Sequence, residues 1–150
     1  YVVPTLVCYE ETAKHGERLG LSPYVMDKLD LVNRTGIAML GICKTAGVKP
    51  GFGTDLMGEM EYAQSDEFAI RGRVQKPADI LRSATSVNAE ILQQSGRLGV
   101  IAPGAVADLI VCDGDPLRDI ALLADPNKNL RLIMKAGAIH RTDLSGRELH

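Results

Sequence analysis

Two short apolar runs, residues 1–8 and 48–52, each followed by a stretch of helical period, constrain this chain more than any other feature. Strands that are apolar on both faces belong to parallel sheets, and parallel strands need a crossover, commonly a helix, between them. The 150 residues are therefore expected to begin with two β/α units. Pro4 has no N–H for a ladder, so the first run should pair fully on one side only or bulge at Pro4. Pro50-Gly51 interrupts the second run in the same way.

From Pro23 the positions Val25, Leu29, Val32, Met39 and Cys43 recur at helical spacing, with Ser22 as N-cap and Gly47 as C-terminal stop. Residues 56–65 are rich in Met, Glu and Gly without a clear period and are expected to be a loop, whereas 67–74 has a helical pattern. Pro77 at the first helical position opens a second strong helix. Ile80, Ala84, Val87 and Ile91 form its apolar stripe, and Gly96 is its expected end.

After Leu98 the period becomes strand-like. Turn signals at Ala102-Pro103-Gly104 and Asp113-Gly114-Asp115-Pro116 bracket the run 107–112, and Ala136-Gly137 joins 130–135 to 138–141 as a hairpin. The tail from Thr142 is polar and expected to fray. The chain is thus α/β, with a β-rich C-terminal part and no internal repeat.

With 45% hydrophobic and 24% charged residues, the sequence has enough apolar material for a core, which excludes a disordered chain. A net charge of −2 with scattered Lys and Arg lacks the basic footprint of a nucleic-acid binder or of a polybasic membrane surface. No apolar run approaches the roughly 20 residues of a membrane helix. The opening run has neither a basic flank nor an initiating Met and does not fit a signal peptide. Cys8, Cys43 and Cys112 are odd in number and lack CxxC spacing, so they are expected to be buried free thiols. Free thiols favour the cytoplasm, although the compartment itself is unknown from these residues.

Gly53-Thr54-Asp55 follows directly on the second run and places one carboxylate where a buried parallel strand ends. In a parallel α/β barrel that end carries the active site, so a metal-binding or proton-transferring Asp belongs there. A closed eight-stranded barrel needs roughly 250 residues, so 150 would supply only a piece of one. Taken alone, Asp55 is better explained by turn chemistry after a strand. Asp66 and Glu67 are expected to be solvated acids at a helix start, and Asp108 to hold a turn at the entry to a strand.

The ordered series Gly53-Thr54-Asp55, Ala84-Thr85 with Asn88-Ala89, Leu98-Gly99, Ile101, Pro103-Gly104 and 107–111 resembles the C-terminal end of the amidohydrolase superfamily. Gln64-Ser65-Asp66-Glu67-Phe68 resembles its imidazolonepropionase-like branch, which includes Xaa-Pro dipeptidases and related metal-dependent carboxypeptidases. The resemblance implies that residues 1–96 are the last two β/α units of a (β/α)8 TIM-type barrel. Residues 97–150 would then be the C-terminal strands of a small composite β-sandwich and its polar tail.

The resemblance further implies a divalent metal, Zn²⁺ by preference and one or two ions. A metal-bound hydroxide would attack an amide or peptide-like C–N bond, with Asp55 as metal ligand and proton acceptor. The family's His-x-His pair, bridging Lys and two further His ligands would lie before Tyr1. His15, His140 and His150 are not at strand ends and are not expected to be ligands. Thr5, Thr54 and Met57, near the same mouth, are substrate-contact candidates. Glu10 and Glu11 share that position, with solvated loop charges as the simpler reading.

The implied partner is a small amide or dipeptide, with neither nucleic acid nor membrane. A second reading makes the 150 residues a non-catalytic structural or assembly module, since one ligand cannot hold a catalytic zinc that needs about three. A third is a metal-free small-molecule binding domain. Two parallel strands alone would leave open edges, so a homo-oligomer or a complementing N-terminal segment is expected.

Overall fold

The computed structural model describes residues 1–144; His150 and the end of the polar tail lie outside them. The two apolar runs do meet in parallel, but through one bridge, Val2 with Pro50. Val2 N–H donates to Lys49 O (3.3 Å) and Gly51 N–H to Val2 O (2.7 Å). By parallel register the next bond would run from residue 4 to Gly51 O, and Pro4 has no hydrogen to give. The ladder stops there, so the expected strands over 1–8 and 48–52 are cut to a single rung. The chain turns instead into helix α1 (Leu6–Lys14) and buries Leu6 and Val7.

Helix α2 (Pro23–Thr45) follows the expected frame, with Ser22 Oγ accepting from Val25 N and Gly47 in the left-handed region beyond its end. Leu6 lies so close to Gly36 of α2 that a Cβ there would be 2.9 Å from Leu6 Cδ2. Leu6, Val7, Leu40, Ala63 and Ile70 form one core cluster. Ala63 enters it from a 3-10 helix, Gly58–Ala63, within the stretch expected to be loop. Helix α3 (Asp66–Gly72) follows.

The helix opened by Pro77 runs as α4 (Pro77–Arg82), a π segment (Ser83–Val87) and α5 (Asn88–Ile91). It ends before the expected Gly96, because Gln93 already takes a left-handed φ of 56°. Strands β1 (Leu109–Cys112), β2 (Leu130–Lys135) and β3 (Ala138–Thr142) make an antiparallel sheet in the order β1-β2-β3, so Thr142 is in the ladder rather than frayed. Between β1 and β2 the expected strand-rich tail instead holds a 3-10 helix, Ile120–Ala124, and the short α6 (Pro126–Asn129). Ile80, Ile120, Leu123 and Leu130 form a second core cluster, with Phe52 and Phe68 packed against it. That cluster fastens the sheet to the helices carrying the first.

Candidate active-site mouth

A parallel rung sends both runs out at one end of the molecule. The first leaves it through Thr5 into α1, the second through Gly53-Thr54-Asp55. Asp55 is exposed, adopts a φ of 52°, and makes no hydrogen bond or ion pair among the described residues. A left-handed φ is uncommon outside glycine and is tolerated best by Asn and Asp. Its charge reaches α1: the Cys8 thiol is raised chiefly by burial, eased by Thr12 and pushed further by Asp55.

Three interactions hold the backbone that leads to Asp55. The buried Arg71 guanidinium donates from Nη1 to Gly51 O at 2.8 Å, the oxygen that Pro4 leaves without a ladder partner. It also bonds Ser83 Oγ (3.1 Å) and Gln75 Oε1 (2.8 Å) and lies 5.3 Å from the Phe52 ring centroid. Asn88 pairs its whole side-chain amide with Phe52, accepting from its N–H and donating to its C=O, both at 2.8 Å. The third is close packing at two glycines. A Cβ on Gly51 would lie 2.6 Å from Ile91 Cδ1 and 2.8 Å from Asn88 Oδ1, and one on Gly53 2.8 Å from Val3 Cγ1. Pro50-Gly51, unfavourable for a strand, is what lets this segment approach so closely.

Glu67 contradicts its expected solvated place. It is fully buried and accepts from Val7 N–H at 2.8 Å, satisfying a donor in the first turn of α1. Burial pushes its carboxyl from the usual 4.5 up to about 7, against the pull of the Val7 N–H and Arg71. Its other oxygen, Oε1, has no partner among the described residues. Glu11 is also buried rather than a solvated loop charge, paired with Lys14 and accepting from Tyr62 Oη at 2.5 Å. This ties α1 to the 3-10 helix that follows Asp55. Glu10 pairs with Arg73 at 2.6 Å, and His15 Nε2 lies 3.3 Å from Tyr62 Oη.

Of the other candidates, Thr5 is half-buried at the start of α1, its Cγ2 3.9 Å from where a Cβ on Gly53 would stand. Thr54 is half-buried and Met57 is 72% exposed. Thr5 lines a hollow of about 470 Å³ with Val3, Tyr9 and Met39, but Asp55, Thr54 and Met57 do not line it. A larger hollow, about 820 Å³, lies beyond the other end of the rung among Lys44, Val48, Pro50, Val74 and Pro77. Among the described residues no three His, Cys, Asp or Glu side chains converge as a metal site. An exposed carboxylate with no partner among the described residues suits one hard-cation ligand, and any further donors would have to come from elsewhere.

The sequence reading misses Arg71 and assigns Glu67 to solvent. The available signals were their i,i+4 spacing in a segment flanked by Phe68 and Ile70, and the carbonyl that Pro4 must leave unpaired. Asp108 does hold a turn, accepting from Ala136 N at 2.7 Å and pairing with Lys135 at 3.0 Å. All three cysteines are free, with Cys43 buried and the other two half-buried. None of the described helices is long and apolar enough to cross a membrane.

The model of the Amidohydrolase family matches residues 1–148. Among solved structures, the chain is 46% identical to a protein described as an amidohydrolase, with a TM-score of 0.89 over 96% of this chain and 35% of that one. It is 47% identical to a prolidase solved with N-methylphosphonate-L-proline, with a TM-score of 0.87 over 95% of this chain and 35% of that one. A Xaa-Pro dipeptidase with bound methionine is 27% identical, with a TM-score of 0.77 over 93% and 34%. The chain therefore spans about a third of the length of these structures. No curated protein matches it.

Proposed function

The chain belongs to the amidohydrolase family, and on that premise we propose that it is the C-terminal part of a metal-dependent hydrolase acting on a C–N bond of a dipeptide or similar small amide. The observation that carries this reading is the place of Asp55: exposed, without a hydrogen-bond or ion-pair partner among the described residues, and at the end where both parallel runs leave their rung. Asp55 serves as one ligand of a divalent cation, with Zn²⁺ preferred. Such a cation, when bound, polarises a carbonyl and makes water a better nucleophile near neutral pH.

The chain's own residues supply placement and proton handling. Asp55 takes a proton from the attacking water and passes it to the leaving nitrogen. Thr5, Thr54 and Met57 border the approach to it. Residues 1–96 are the last two β/α units of the barrel, and 97–150 contribute to a composite sandwich.

The 150 residues alone are inactive, because a catalytic zinc needs about three protein ligands. The exposed apolar row Tyr24, Leu31 and Ile42 on α2 suits cover by an N-terminal segment or a second copy. The test is hydrolysis by the full-length protein loaded with Zn²⁺, on panels of Xaa-Pro dipeptides and N-acyl amino acids. Turnover on one panel is expected; inactivity on both contradicts the reading. The module reading is favoured by the lack of converging ligands among the described residues. It is decided by titrating the full-length protein with Zn²⁺, where absence of stoichiometric binding supports it.

A further inference from the structure

Asn88 directs both polar atoms of its side chain at one residue. Oδ1 accepts from Phe52 N–H, and Nδ2 donates to Phe52 O, both at 2.8 Å. The amide orientation is fixed by this pair, since a flipped side chain would face donor with donor and acceptor with acceptor. Two bonds to the N–H and C=O of one residue are what a neighbouring β-strand supplies. Asn88 thus supplies such a pair at Phe52 in side-chain atoms, one residue after the Gly51 oxygen that Pro4 leaves to Arg71. It does so three residues before Asp55.

The surroundings make this bond a fixed point. Asn88 opens α5 directly after the π segment Ser83–Val87, and wide turns of this kind occur often at functional sites. Across that segment, Gly99 lies so close that a Cβ there would be 2.5 Å from the Thr85 carbonyl. At the strand, Gly51 leaves no room for a side chain against Asn88 Oδ1. Asp55 itself makes no hydrogen bond or ion pair among the described residues, and its φ of 52° puts it in a sparsely populated backbone region. The nearest hydrogen-bonded anchor upstream of it among the described residues is Phe52.

We propose that Asn88 is a positioning residue for Asp55: by clamping both polar groups of the Phe52 backbone it fixes the carboxylate in the direction a bound metal requires. The inference rests on the reading of Asp55 as a metal ligand and extends it to a residue that touches neither metal nor substrate. Hydrogen-bonded supports of metal ligands change metal affinity or activity by about 10–100-fold when removed. Asn88→Ala should act at that scale through Asp55.

The experiment uses the full-length protein. Zn²⁺ affinity is measured by competition with a chromophoric chelator for wild type, Asn88→Ala, Asn88→Asp and Asp55→Asn, with thermal unfolding of each metal-free protein alongside. Asn88→Ala should bind Zn²⁺ about 10–100-fold more weakly. Asn88→Asp, which keeps the bond from Phe52 N–H and loses the one to Phe52 O, should fall between it and wild type. It also preserves the test if Asn88→Ala does not fold. Where Asp55→Asn loses affinity but the Asn88 variants bind within twofold of wild type, the positioning role is overturned while Asp55 stands, whatever their unfolding temperatures. Where Asp55→Asn itself binds as wild type does, the reading of Asp55 fails and this inference with it.

Discussion

The two strand-bearing regions solve the same backbone problem in opposite ways. In the C-terminal sheet, β2 pairs with β1 and β3 through continuous backbone ladders, and register shifts are confined to one position in each pair. At the mouth, the parallel pair keeps one rung, and its remaining polar groups go to the side chains of Arg71 and Asn88. A backbone ladder is local and tolerant of surface substitutions. A side-chain substitute leaves the strand end open to solvent but makes its geometry depend on a few buried groups.

The largest break in this contrast should come from Arg71→Met. It removes the donor to Gly51 O and leaves Glu67 buried without its neighbouring cation. Leaving a buried acceptor without its donor costs about 1–3 kcal/mol, and Arg71 serves both Gly51 O and Ser83 Oγ; the loss is to be read from urea unfolding of the full-length protein. Hydrogen exchange should quicken at 51–55 and stay slow in β2.

Glu67→Gln sharpens the comparison through pH. The folded carboxyl holds its proton up to about pH 7, whereas the unfolded one releases it near 4.5. Folded chains therefore bind the extra proton across that interval. The stabilisation is complete below pH 4.5 and is lost as pH rises to about 7, a swing on the order of 3 kcal/mol. Unfolding free energies at pH 5 and pH 8 should differ by less in Glu67→Gln than in wild type. An identical difference would show that the carboxyl is not buried as described.

The smallest effect belongs to the sheet. Gly137 takes a φ of 82° in the two-residue turn between β2 and β3, next to Ala136 at 49°. Replacing it with Ala should cost about 1 kcal/mol, with exchange quickened only in β2 and β3. Quickened exchange at 51–55 in this variant would dissolve the distinction between the regions.

What the sequence disclosed follows from how local each signal was. Helix α2 and the hairpin were legible because Ser22, Gly47 and Ala136-Gly137 act on their immediate neighbours. The strand over 1–8 was overestimated because hydrophobicity does not distinguish a buried strand from the buried first turn of a helix, which is where Leu6 and Val7 lie. Pro4 was recognised as a missing donor, but its replacement came from Arg71, 67 residues away. Glu67 was misplaced for the same reason: an acid at a helix start is solvated unless another helix, here α1, presents an N–H to it. Asp55 was legible as a position at a strand end, whereas the clamp behind it required two elements to be brought together in space.

The most direct measurement is a crystal structure of the full-length protein with Zn²⁺, located by its anomalous signal. The account predicts a zinc peak about 2.0–2.2 Å from an Asp55 carboxylate oxygen, with Asn88 still paired to Phe52. A zinc peak elsewhere, with Asp55 free in solvent, would contradict it.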